Sequence, residues 1–345
     1  MAKFTKLASL LAGAALAVSG SFAAAAENKA EYTLTISSWA PPTHGINAKM
    51  WPKFTEMVEE ATGGRVTTEL KLGMAPPPAQ PDLIMDGAAD LSIIFHGYQP
   101  GRFTTTKLIE LPGYEGSAEA ASVAYWRAYD KYLKKADEHR GLKVVAMFTH
   151  GPAQLHSNRK VTSLADMNGM KVRVPGGVAS DVADKLGMTG IKVPAPKVYE
   201  TLASNAADGV VMPMESRKGF KLTEVAKNVY EMPGGLYRGS FAFIMNQDTF
   251  DALPEDIRKA LDEKVFGEPL SREIGRIWDE IDQIGREATL AAPDNAIIEA
   301  SAEDQAKFAK IAEEVRKKVI AEVAAKGVDA QAAYEMIKAD MAAYK

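Results

Sequence analysis

The chain has 345 residues, 46% hydrophobic and 25% charged, an ordinary globular composition long enough for two domains. Its 41 basic and 45 acidic residues leave a formal charge of −4 with no basic block, which argues against nucleic acid as a partner. The absence of cysteine excludes disulfides, thiol nucleophiles and thiolate metal sites.

Residues 1–26 read as a signal peptide. Lys3 and Lys6 form a positive start, and Leu7 to Val18 is apolar but too short to span a bilayer. Small residues up to Ala26 suit cleavage there, with Glu27 opening the mature chain. The mature protein is expected to be soluble and exported.

Tyr32 to Ser37 alternates as a strand, followed by the turn-rich Ser38 to Gly45 and a helix from Asn47 to Ala61. Arg65 to Leu72 is a second strand. A short helix, Asp82 to Ala88, leads to an apolar strand, Asp90 to Phe95. This alternation predicts βαβ units and a parallel sheet covered on both faces, an α/β fold. Ala118 to Asp137 is a long helix whose Tyr125, Trp126, Tyr129 and Tyr132 read mostly as packing. Strands follow at Leu142 to Phe148 and Gln154 to Ser157. Met170 to Val174 is a strand whose Pro175-Gly176-Gly177 opens a helix, Val178 to Leu186. Ile191 to Val193, Asp208 to Met212, Val229 to Met232 and Ser240 to Asn246 are further strands, with a helix from Pro196 to Ser204. Beyond Thr249 everything reads as helical: Pro254 to Phe266, Leu270 to Leu290, Ala302 to Ala325 and Asp329 to Tyr344. The Leu270 to Leu290 helix is about 30 Å long at 1.5 Å per residue, enough to brace two domains.

No phosphate loop, dinucleotide fingerprint, HExxH or Gly-x-Ser-x-Gly occurs. No nucleophile has a base at readable spacing, so an exported hydrolase is disfavoured and the chain is not expected to be an enzyme. Bulky and polar residues instead recur just after strands, where open α/β sheets bind ligands. They are Trp39 and His44, then Phe95, His96 and Tyr98, then His150 and Gln154. Met212, Met214 and Glu215 form another group, and Tyr237, Arg238 and Phe241 precede or open the last strand. His44, His96 and His150 open a second reading, an exported zinc protein. It lacks helical ligand spacing, and His139 and His156 read as structural. Arg173 is the sharpest candidate, a planar five-donor cation among valines. An unpaired buried charge is costly, so it needs an anion: either an internal carboxylate such as Glu215, or a ligand.

Several ordered stretches carry a resemblance. They are Thr62 to Val66, Ser163 to Pro175, Tyr199 to Leu202, Asp208 to Val211, Ser240-Phe241, Met245-Asn246 and Phe250 to Pro254. Through them the chain resembles the solute-binding proteins of tripartite ATP-independent periplasmic (TRAP) transporters over nearly its whole mature length. The resemblance implies a periplasmic-binding-protein fold, with two α/β domains joined by a hinge and a long bracing helix. Residues 27–149 with 237–269 form the expected first domain, and 150–236 with 270–345 the second. The implied partners are a small-molecule carboxylate and the transporter's small and large membrane subunits, in the periplasm. The protein is expected to act as a monomer, with no cofactor. The arginine matching Arg173 would clamp the ligand carboxylate. Ala153 stands where the sialic-acid branch has a second arginine, Met212 stands for a common asparagine, and Ala195 for an aromatic residue. These departures favour a monocarboxylate of aromatic or hydroxy-acid type. The expected ligand-binding set is Arg173, Gln154, Trp39, His44, Phe95, His96, Tyr98, His150, Met212, Glu215, Arg238 and Phe241.

Overall fold

A computed structural model describes residues 30–344. The signal peptide expected over residues 1–26 lies outside them. In chain order the elements are β1 (Tyr32–Ser38), α1 (Trp51–Thr62), β2 (Val66–Leu72), α2 (Gln80–Met85), β3 (Leu91–Phe95) and α3 (Ala118–Ala128). Next come β4 (Leu142–Thr149), β5 (Gln154–Ser157), β6 (Lys171–Val174), α4 (Gly177–Lys185), β7 (Thr189–Lys192), α5 (Val198–Ala203) and β8 (Gly209–Met212). The chain continues through α6 (Ser216–Gly219), α7 (Leu222–Val225), β9 (Asn228–Glu231), β10 (Ser240–Asn246), α8 (Gln247–Ala252) and α9 (Glu255–Lys264). It ends with α10 (Glu268–Ala291), β11 (Ala296–Glu299), α11 (Ala302–Ala324) and α12 (Ala330–Ala343).

The strands form two sheets, ordered β2-β1-β3-β10-β4 and β11-β9-β5-β8-β6-β7. The expectation of purely parallel sheets is corrected. β10 runs antiparallel to β3 and β4, and β5 runs antiparallel to β8 and β9. Both odd strands are entered by a direct crossing from the other sheet, without the helical crossover that a parallel neighbour requires. β4 hands the chain to β5 within four residues, and β9 returns it to β10 through residues 232–239. The two crossings pair with each other, the Ala153 N–H donating to the Tyr237 carbonyl at 3.0 Å and the Leu236 N–H to the Ala153 carbonyl at 2.8 Å.

The expectation that everything past Thr249 is helical also needs correction, because Ala296–Glu299 is a strand. Its four residues follow the turn Pro293-Asp294-Asn295 and pair in parallel with β9 at the sheet edge. Too short to show a period, it owes its extended form to that pairing.

The long helix is as expected. α10 buries a stripe of Leu270, Ile274, Ile277, Trp278 and Ile281. It packs on α3 and β4 of the first sheet and on α6 and β11 of the second. Asp279 accepts the N–H groups of Ala118 and Glu119 at 2.7 and 3.0 Å, satisfying the first turn of α3. One turn on, Asp282 accepts the Glu215 N–H at 2.7 Å. The helix is thus tied to one sheet through Asp279 and to the other through Asp282.

Candidate ligand-binding site

The site is built from Arg173 outward. In β6 Lys171 is exposed while Val172, Arg173 and Val174 are buried, and parallel neighbours β7 and β8 flank it. That places the arginine side chain, 1% exposed, at the junction of the sheets. Its Nε donates to the Val193 carbonyl at 2.8 Å and its Nη2 to the Tyr98 hydroxyl at 3.4 Å. Among the described residues no carboxylate lies within ion-pair distance of it. Glu215, the internal partner the sequence allowed, stands instead 3.0 Å from His44 Nε2. A buried guanidinium satisfied only by neutral oxygens has donors suited to an anion.

Arg173 opens into a cavity between the sheets. From the first sheet come Trp39, His44, Phe95, Tyr98, His150 and Phe241; Met212 and Glu215 join Arg173 from the second. Phe95, Tyr98 and Phe241 form a continuous aromatic wall, with Phe95 centred 4.7 Å from Tyr98 and 5.0 Å from Phe241. The Trp39 indole is held by its N–H on the Ile93 carbonyl at 2.7 Å. Tyr98 also ties the two sides together, its hydroxyl accepting the Ala195 N–H at 2.8 Å. Burial lowers His150 to about 3, with Arg238 and Arg173 adding to the effect and the Gly151 carbonyl opposing it, so the ring is neutral. Its Nδ1 hydrogen donates to that carbonyl at 2.6 Å, which leaves Nε2 as an acceptor.

Three expected residues do not reach this cavity. His96 follows Phe95 by one residue and leaves on the other face of the chain, as strand alternation requires. Its Nε2 meets His139 Nε2 at 2.9 Å and its ring abuts Phe103. Gln154 exchanges two hydrogen bonds with the Met232 backbone, accepting its N–H at 2.8 Å and donating to its carbonyl at 3.2 Å. Arg238 is fully buried and donates to the carbonyls of Tyr114 and Gly116. The zinc reading gains no support. His44 and His150 line the cavity without His96, and no cluster of three metal-ligating side chains occurs among the described residues. His156 is structural, bonded to the Met212 carbonyl at 2.8 Å; His139 closes the pair with His96.

Other lining residues escaped the sequence reading as ligand contacts. Trp278 lies in the apolar stripe of α10 and reads as core. Phe220 follows a four-residue helix with no periodic signal. Tyr237 groups with Arg238 in the sequence but is absent from the expected ligand-binding set, and of the two it is the tyrosine that lines the cavity.

Residues 36–323 match the family model described as bacterial extracellular solute-binding protein, family 7. The fold superposes on a TRAP periplasmic solute-binding protein of Bordetella bronchiseptica with bound (R)- and (S)-mandelate. That pair has a TM-score of 0.87 and 36% identity, over 90% of this chain and 98% of the other. A marine metagenome TRAP protein specific for aromatic acid ligands, in complex with metahydroxyphenylacetate, gives 0.84 and 30%, over 91% and 99%. A TRAP protein of Rhodoferax ferrireducens with copurified benzoate gives 0.83 and 29%, over 90% and 97%. The chain belongs to bacterial extracellular solute-binding protein family 7, as a substrate-binding protein of TRAP transporters rather than an enzyme.

Proposed function

We propose that this protein captures an aromatic monocarboxylate between its two domains and presents it to the small and large membrane subunits of a TRAP transporter. The observation that carries the reading is Arg173, a buried cation facing an aromatic cavity with no carboxylate to pair with among the described residues. The ligand carboxylate would accept from the guanidinium in place of water, and exclusion of solvent strengthens that pair. Tyr98, Phe95, Phe241 and Trp39 would hold the ring, and neutral His150 would offer Nε2 to a ligand hydrogen. The structures with bound mandelate, metahydroxyphenylacetate and benzoate support the class of ligand. Arg238, Gln154 and His96 would support the walls rather than touch the ligand. We place the domains at 27–149 with 237–269 and at 150–236 with 270–345, hinged where the two crossing segments pair and where α10 spans both. The test is calorimetry with benzoate, mandelate and succinate. The aromatic acids should bind at least about 100-fold tighter than succinate, whose second carboxylate would be buried without a cationic partner. Succinate binding as tightly as benzoate would overturn the reading.

A further inference from the structure

Away from Arg173, the cavity wall holds a second polar pair that no protein group completes. His44 Nδ1 accepts the Ile46 N–H at 3.1 Å, which puts the imidazole hydrogen of the neutral ring on Nε2. That Nε2 is buried and 3.0 Å from Glu215 Oε2, yet it has no hydrogen-bond partner among the described residues. Glu215 is 3% exposed, and its two carboxylate oxygens offer more acceptor sites than His44 alone can fill. The site therefore presents one unused donor and one unused acceptor side by side, on residues that both line the cavity. The backbone beneath them is fixed, because Asp282 holds the Glu215 N–H and the His44 ring packs on Phe220 at 4.8 Å.

We infer that His44 and Glu215 form a hydroxyl-recognising subsite, and that the ligand is an aromatic carboxylate bearing a ring hydroxyl. The inference rests on the functional reading above and extends it from the carboxylate end to the rest of the ligand. A hydroxyl is the group that accepts from the Nε2 hydrogen and donates to the carboxylate at once. A second carboxylate would only accept, and would meet the charge of Glu215; an ammonium would only donate and leave Nε2 unsatisfied. The hydroxyl belongs on the ring rather than beside the carboxylate, because the two polar ends share no contact. Arg173 is bonded to Val193 and Tyr98, whereas the Glu215 backbone is held by Asp282 and its carboxylate faces His44. Left empty by an unsubstituted ring, the subsite keeps a buried donor unpaired, so the penalty falls on ligands without the hydroxyl.

The test is calorimetry of the full mature protein with benzoate, 3-hydroxybenzoate, 4-hydroxybenzoate and the methyl ethers of the last two. The better-placed hydroxybenzoate should bind about tenfold or more tighter than benzoate, and its methyl ether should lose that gain because it accepts without donating. In Glu215→Ala the ratio of hydroxybenzoate to benzoate affinity should fall toward one. Glu215→Gln, which keeps an acceptor oxygen, should retain part of it. Benzoate binding as tightly as both hydroxybenzoates in the wild type would overturn the subsite while leaving the carboxylate reading intact. So would a Glu215→Ala variant that weakens all ligands by the same factor. Failure of every benzoate to bind would remove the underlying functional reading, and this inference with it.

Discussion

At the residue scale, the site depends on where buried charge is left and where it is neutralised. Arg173 and Glu110 illustrate the two outcomes. Arg173 meets only the Val193 carbonyl and the Tyr98 hydroxyl. Glu110 lies between β10 and α4, accepting the Ser240 hydroxyl at 2.6 Å and the Val178 N–H at 2.9 Å, at the first turn of α4. A Cβ at Gly177 would fall 2.3 Å from Glu110 Oε2, so the approach requires glycine there, where φ is +57°. Burial raises the Glu110 carboxyl from 4.5 to about 7, against the lowering effect of those two donors and Lys107. The folded state therefore holds this proton more tightly than the unfolded chain does. The stability it contributes is fully present below about 4.5 and is lost as pH rises through about 7. Buried neutral histidines such as His150 and His156 act oppositely, weakening the fold as pH falls below 6.5. The Glu110 effect is thus isolated by a difference. Urea unfolding of wild type and Glu110→Gln at pH 4.5 and pH 8 should show the wild type losing about 3 kcal/mol relative to the variant as pH rises. A difference that stays constant with pH would contradict the assignment. The sequence displayed Arg173 plainly, since one cation in a valine strand is a local signal. It gave no such sign for Glu110, whose burial depends on Ser240 and Val178 from distant parts of the chain.

At the scale of elements, α10 does the most to position the site. It carries Trp278 into the cavity and, through Asp282, fixes the loop that holds Glu215. Its Gly285 lies against that same loop: a Cβ there would sit 2.0 Å from the Met214 carbonyl oxygen. Alanine in place of an interior helical glycine ordinarily stabilises by about 1 kcal/mol. Here the contact reverses the sign. Gly285→Ala should lower the melting temperature, corresponding to a loss of about 1–3 kcal/mol from overpacking, and weaken ligand binding by displacing Glu215. A variant melting above the wild type would show that the loop yields freely. The length of α10 was legible because its apolar stripe persists over many turns. The role of Trp278 was not, since one stripe residue looks like another until the partner surface is known. β11 escaped for a related reason, as pairing with β9 is its only mark. The antiparallel entry of β5 and β10 was hidden too, because strand direction is set by how the chain crosses between sheets and not by the strands' own residues.

At the scale of the whole molecule, two sheets meet around an aromatic cavity with a cation on its wall. The two crossing segments and α10 hold them together, and Tyr98 bridges the cleft to Ala195. The departures at Ala195 and Met212 become walls of this cavity, which accounts for its apolar lining. Among the described residues Arg173 has no carboxylate partner, and a buried charge without one is costly. Replacing that charge with an apolar side chain of similar length should remove binding without harming the fold. The most direct test is calorimetric titration of benzoate into wild type and Arg173→Met, with melting temperatures recorded for both without ligand. The account expects Arg173→Met to lose about 100-fold or more in affinity, while melting no lower than the wild type. Benzoate affinity within about threefold of the wild type in a folded Arg173→Met protein would contradict it.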